Sequence, residues 1–316
     1  MMVVADSVRV PEAPPTLGTL LGWYPQPIPL LPLLGLALAV LYCWGRLRLG
    51  SVRPSLPWPW WRTASFLFGC ALLVAVTGLG MEGYGYELFS VWMFQHLTLS
   101  MAIPPLLVMG SPGSLLLRAT PHRGLGRIVL IVALVGLRSR MARVLLHPAV
   151  TISLFLFSYY GLYLTSILDT VGSTWAGHTS VELFFLATGV LFIVPVLSTG
   201  PLPVRQSNLG RFFDIFLEMP LHVFFGLILM MATTPMLDLF ADPPASWGID
   251  PLDDQQLAGG LAWSYGEPVG LVIVIVFAVR WNRDERRSAA ATERRAELHG
   301  DLELNAYNDY LKELRG

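Results

Sequence analysis

Apolar residues gather into seven stretches, at 28–49, 63–81, 87–109, 148–168, 177–198, 212–235 and 257–280. A helix rises about 1.5 Å per residue, so about 20 such residues cross the ~30 Å hydrocarbon core of a bilayer. Each stretch is therefore predicted to be a transmembrane helix. An eighth run, Ile128 to Leu137, reaches only about 15 Å as a helix and falls short.

The charges between the stretches are sorted. Of 21 Lys and Arg, only Arg9 falls on one side of the predicted bundle. Arg46, Arg48, Arg53 and Arg62 fall on the other, as do Arg118 to Arg143, Arg205, Arg211 and the basic residues from Arg280 onward. The positive-inside rule then gives an all-α, seven-transmembrane-helix bundle with its N-terminus outside and its C-terminus inside. If the 128–137 run crossed as well, Arg138, Arg140 and Arg143 would lie outside. It is read instead as a basic helix on the inner surface, within the loop between the third and fourth spans. Three regions follow: a Pro-rich outer segment (1–27), the seven-helix domain (28–282) and a charged, helical cytoplasmic tail (283–316). In the tail, Leu298, Leu302, Leu311 and Leu314, with Tyr307 and Tyr310, are expected to form a weak apolar stripe.

Composition agrees with this pattern. The chain is 54% hydrophobic and 14% charged, with a mean hydropathy of +0.57, against about 25% charged in soluble domains. Its net charge of −1 gives no reason to expect a nucleic-acid partner; the partner it does require is the lipid bilayer. Residues 1–15 lack the basic-then-apolar order of a cleavable leader, so the first span is expected to be retained. Cys43 and Cys70 fall inside predicted spans without CxxC spacing and are read as small buried hydrophobes.

Ionisable side chains inside a bilayer are costly, so those present mark candidate chemistry. His96 lies nine residues past Glu87, about 14 Å below the outer edge. His178 and Glu182 share a helix face at i, i+4 spacing near the outer end of the fifth span. His222 is 13 residues before Pro235, about 20 Å deep, and Glu218 and Met219 precede it by one turn. Met93 lies one turn outward of His96. The candidate metal set is thus His96, His178, Glu182, His222, Met93 and Met219. Imidazole with thioether suits Cu(I), whereas carboxylate with imidazole also suits Cu(II) or Zn(II). Glu218 and Glu267 are further candidates for buried carboxyls. Asp253 to Gln256 are expected to cap the outer start of the seventh span, and Gly259-Gly260 to permit close helix approach there.

Several of these segments are similar to a known family. Gln95-His96 followed by Pro104-Pro105-Leu106-Leu107, with Gly110-Ser111-Pro112, resembles a signature of the CtaG-type (caa3-type) bacterial cytochrome c oxidase assembly factors. His147-Pro148, His178 with the Phe185–Pro195 stretch, Met219 to Gly226, Asp254 to Gly260 and Ala306 to Leu311 resemble further family segments in the same order, the last as in actinobacterial members. The resemblance runs from about residue 85 to the C-terminus. In two places the chain departs from it: Glu182 stands where many members have His, and Ile193-Val194 where many have Trp-Trp.

The resemblance implies a multi-pass protein of the bacterial plasma membrane that helps mature a haem–copper oxidase. It would bind copper transiently, Cu(I) ahead of Cu(II), and deliver it to the oxidase catalytic subunit as a metallochaperone. No covalent chemistry is implied, so an enzyme is not expected. Three other readings remain open at this stage: haem ligation by His96 and His222, a proton- or ion-coupled transporter using Glu218 and Glu267, and a scaffold without metal.

Overall fold

The computed structural model describes residues 8–52, 55–197, 206–299, 307 and 310–314. Arg53, the loop residues Pro201 and Arg205, Leu302, and Ala306, Asn308 and Asp309 of the tail motif lie outside the described residues. Among the described residues all regular structure is helical. The chain is all-α, and among the described residues six helices are long and apolar enough to cross a membrane, which fits a multi-pass membrane protein.

These six are Leu30–Val52, Trp60–Gly78, Phe89–Ala119, Trp175–Leu197, Asn208–Met231 and one beginning at Pro251. The segment expected as the fourth span is helical but shorter. Its Pro148–Leu156 helix passes into a π turn, Phe157–Gly161, and Ile167–Gly172 is a separate short helix. The Ile128–Leu137 run lies in a short helix, Gly124–Arg138, with Leu130 buried and Ile128, Val132 and Val135 exposed.

Local chemistry sets the boundaries. His147 caps the Pro148 helix, its Nδ1 accepting from Ala149 N–H at 3.3 Å, and proline at the next position has no N–H to satisfy. Asp250 caps the Pro251 helix, its Oδ1 accepting from Leu252 N–H at 2.8 Å and Asp253 N–H at 3.2 Å. Within the third span, Pro104 and Pro105 cannot donate to the carbonyls of Ser100 and Met101. The helix widens into a π turn over Thr98–Ala102 immediately before them, and Gly189 of the Trp175 helix packs on the Ser100 carbonyl.

Residues up to Leu271 form one compact unit. Its core is aliphatic and aromatic, with Trp92, Met93, Phe185, Phe225 and Tyr159 almost fully buried. At the arginine-poor end, Asp254 and Gln255 join three helices. The Asp254 carboxylate accepts from Phe89 N–H at 2.6 Å, Ser90 N–H at 3.3 Å and the Ser90 hydroxyl, so it caps the Phe89–Leu97 helix rather than its own. Gln255 accepts from Met236 N–H at 2.7 Å and donates to the carbonyls of Leu229 (3.4 Å) and Thr234 (3.3 Å), closing the end of the Asn208 helix. One turn along, Gly226 and Gly259 face each other. A Cβ on Gly259 would lie 2.7 Å from the Gly226 carbonyl oxygen, whereas Gly260 faces open space.

Residues from Val272 form a second unit. Described here are the charged continuation of the Pro251–His299 helix, including an Arg287–Asp284 pair at 3.9 Å, and the exposed Tyr307, Tyr310 and Leu314 of the tail stripe. The Leu298 side chain lies outside the described residues.

Candidate metal centre

Between the Trp60–Gly78 and Phe89–Leu97 helices the chain makes a tight helical turn, Gly80–Tyr84, which carries Glu82. Glycine on both sides lets the backbone of this turn press against the N-terminal segment: Gly80 N–H donates to the Gly22 carbonyl at 2.9 Å. Tyr84 O–H donates to the Ala13 carbonyl at 2.7 Å, and Trp247 Nε1–H to the Glu12 carbonyl at 3.2 Å. The turn therefore points Glu82 inward, where it is 4% exposed.

There it meets His178 and Glu182, which the first turns of the Trp175–Leu197 helix present on one face, each 1% exposed. One ligand atom from each of the three residues lies within 4.8 Å of the other two. His178 Nε2 is 3.6 Å from Glu82 Oε1, too long for a hydrogen bond. His178 Nε2 and Glu182 Oε1 have no hydrogen-bond partner.

The surroundings hold these groups in place. Gln95 Nε2 donates to Glu82 Oε2 and to the Val76 carbonyl, each at 2.8 Å. The Tyr86 ring stacks on His178 at 3.8 Å, and the edge of Trp92 closes the other side at 4.3 Å. A ligand fixed by outer partners is the arrangement seen around protein metal sites. Burial pushes the Glu82 carboxyl up to about 7, and hydrogen bonds from Glu182 and Gln95 pull it partly back. The one charged partner of Glu82 or Glu182 among the described residues is His178, so neither buried carboxylate meets a Lys or Arg. Two carboxyls this close in a dry site share a proton or hold a cation.

The structure brings His178 and Glu182 together and adds Glu82, which is not among the sequence candidates. His96 and His222 are not part of this cluster. His96 is fully buried, stacked on Phe185 at 3.7 Å, with Nδ1 2.9 Å from the Tyr163 hydroxyl. His222 Nδ1 donates to the Glu218 carbonyl at 3.1 Å, which leaves the lone pair of a neutral ring on Nε2. That nitrogen faces Gly266, where a Cβ would collide with it. The Nε2 atoms of both histidines are buried without a hydrogen-bond partner. Met93 is fully buried in the core, and the Met219 methyl packs on Gly270. Glu218 is buried, whereas Glu267 is exposed, against the expectation of a second buried carboxyl.

The model of the cytochrome c oxidase caa3 assembly factors (Caa3_CtaG) matches residues 40–284 of this chain. The chain belongs to that family. It is 37% identical over 284 residues to uncharacterized proteins of Mycobacterium tuberculosis and Mycobacterium bovis, covering 89% of this chain and 43% of each relative. An uncharacterized protein of Mycobacterium leprae is 33% identical over 266 residues, 81% of this chain and 40% of the relative. The chain thus spans less than half the length of these relatives. No solved structure matches it. Within this caa3 assembly-factor chain, the Gln95-His96 pair has divided duties: Gln95 anchors Glu82, and His96 lies against Phe185.

Proposed function

We propose that this assembly factor binds copper transiently at Glu82, His178 and Glu182 and delivers it to the catalytic subunit of a haem–copper cytochrome c oxidase in the bacterial plasma membrane. The observation that carries this reading is the buried, uncompensated pair of carboxylates beside an imidazole with a partnerless nitrogen. Copper is cargo here, and no bond-making step is assigned to the chain.

The donor set bears on the oxidation state. Two carboxylates and one imidazole suit Cu(II), or the similar Zn(II), better than Cu(I), which favours sulfur. The sequence's pairing of His with Met pointed to Cu(I); the clustered ligands move the proposal to Cu(II). A three-ligand site without thiolate holds an ion less tightly than a cysteine cluster, which suits a protein that must release it. His96 and His222, each with a partnerless buried nitrogen, are proposed as donors met deeper in the bundle, with Met93 and Met219 as soft auxiliaries.

A strain lacking the gene tests the role. Its membranes are expected to lose oxidase activity while keeping the oxidase polypeptide, and added copper is expected to restore activity. Fully active, fully metallated oxidase in that strain would contradict the reading.

A further inference from the structure

At the arginine-rich end, a cavity of about 760 Å³ opens between the Leu30–Val52 helix and the short Pro112–Ala119 and Gly124–Arg138 helices. Leu38, Leu115, Phe66 and Val129 give it apolar walls. Arg48 and Arg123 also line it, and among the described residues no acidic side chain does. The Arg48 guanidinium lies over the Trp44 ring, 5.2 Å from its centroid, a pairing suited to the headgroup level of a bilayer. The Gly124 helix packs most closely on its neighbour Arg140–Leu145, and Leu130 is its one buried side chain. An apolar helix standing off the bundle, with a cavity behind it, needs something apolar to fill the gap.

We propose that this cavity is a binding site for one anionic phospholipid, its acyl chains among the apolar walls and its phosphate at Arg48 and Arg123. Two cations with no carboxylate select a negatively charged headgroup, and basic pockets between membrane helices bind such lipids. The volume falls within the range of small-molecule pockets. The bound lipid ties the Gly124–Arg138 helix to the first span.

Native mass spectrometry of the delipidated full chain, offered equal amounts of phosphatidylglycerol and phosphatidylcholine, reads this directly. One phosphatidylglycerol should be retained in preference, and it should raise the Tm where inorganic phosphate alone does not. The double substitution Arg48→Gln, Arg123→Gln should cut that preference at least about tenfold. Arg127→Gln, on the same helix but not lining the cavity, should leave it unchanged. Gly113→Leu should displace lipid of either kind, because a Cβ there meets open space within the cavity. Equal retention of both lipids by the unaltered protein, an undiminished preference in the double variant, or an equal Tm rise with phosphate alone would each overturn the proposal.

Discussion

Glu82 governs the site at the scale of single residues because it combines burial with a nearby carboxyl and no basic partner. Its carboxyl is raised to about 7 by burial, against the hydrogen bonds from Glu182 and Gln95. The folded protein therefore keeps this proton up to near neutrality, whereas the unfolded chain releases it in the ordinary carboxylate range. The stabilisation of the metal-free protein from this group is present at low pH and is lost as pH rises through about 7. Metal competes with the same proton, so Cu(II) affinity should rise as pH climbs through that value, by up to about tenfold per unit below it. Titration of the purified protein at several pH values checks this, and Glu82→Gln should flatten the dependence. His178 and Glu182 were legible in the sequence because their i, i+4 spacing is local. Glu82 was not, since it stands between spans and reaches the site only through the fold of a Gly-rich turn. One signal was present: a lone acidic residue among Gly78, Gly80, Gly83 and Gly85, where a buried turn needs small residues.

Helices were legible wherever hydropathy alone decides them, and less so where packing does. Six spans follow from length and apolarity, but the π turns at Thr98–Ala102 and Phe157–Gly161 do not. The first has a local cause in Pro104 and Pro105, visible in the sequence as a disruption but not as a particular geometry. Asp254 is a sharper case. Its place in the sequence fits a cap for its own helix, but Asp250 does that work and Asp254 caps a helix 164 residues away. Asp254→Ala should lower stability by about 1–2 kcal/mol through the lost cap, visible as a reduced Tm in detergent. Gly259→Ala should cost about 1–3 kcal/mol by overpacking against the Gly226 backbone, and Gly260→Ala should cost little. Equal effects at the two glycines would contradict the crossing described here.

For the whole molecule, charge sorting predicts which end faces out, and the Glu82, His178 and Glu182 cluster lies at the arginine-poor end. Alkaline phosphatase fused after residue 245 should be active and after residue 290 inactive; the reverse pattern would invert the bundle and place the cluster on the cytoplasmic side. The same sorting puts the proposed lipid cavity at the opposite, basic end, so the two proposed sites occupy separate ends of one bundle. The chain belongs to an oxidase assembly-factor family, and the proposed copper at the cluster is the cargo that role would call for.

The central claim, copper at Glu82, His178 and Glu182, is tested most directly by loading the purified full chain with Cu(II). Bound metal is then counted and its electron paramagnetic resonance spectrum recorded. One tightly held Cu(II) is predicted, with nitrogen and oxygen ligation, lost in His178→Ala and in the double variant Glu82→Gln, Glu182→Gln, and kept when His96 and His222 are both Ala. Undiminished binding in the first two variants, or loss only in the last, would contradict the account.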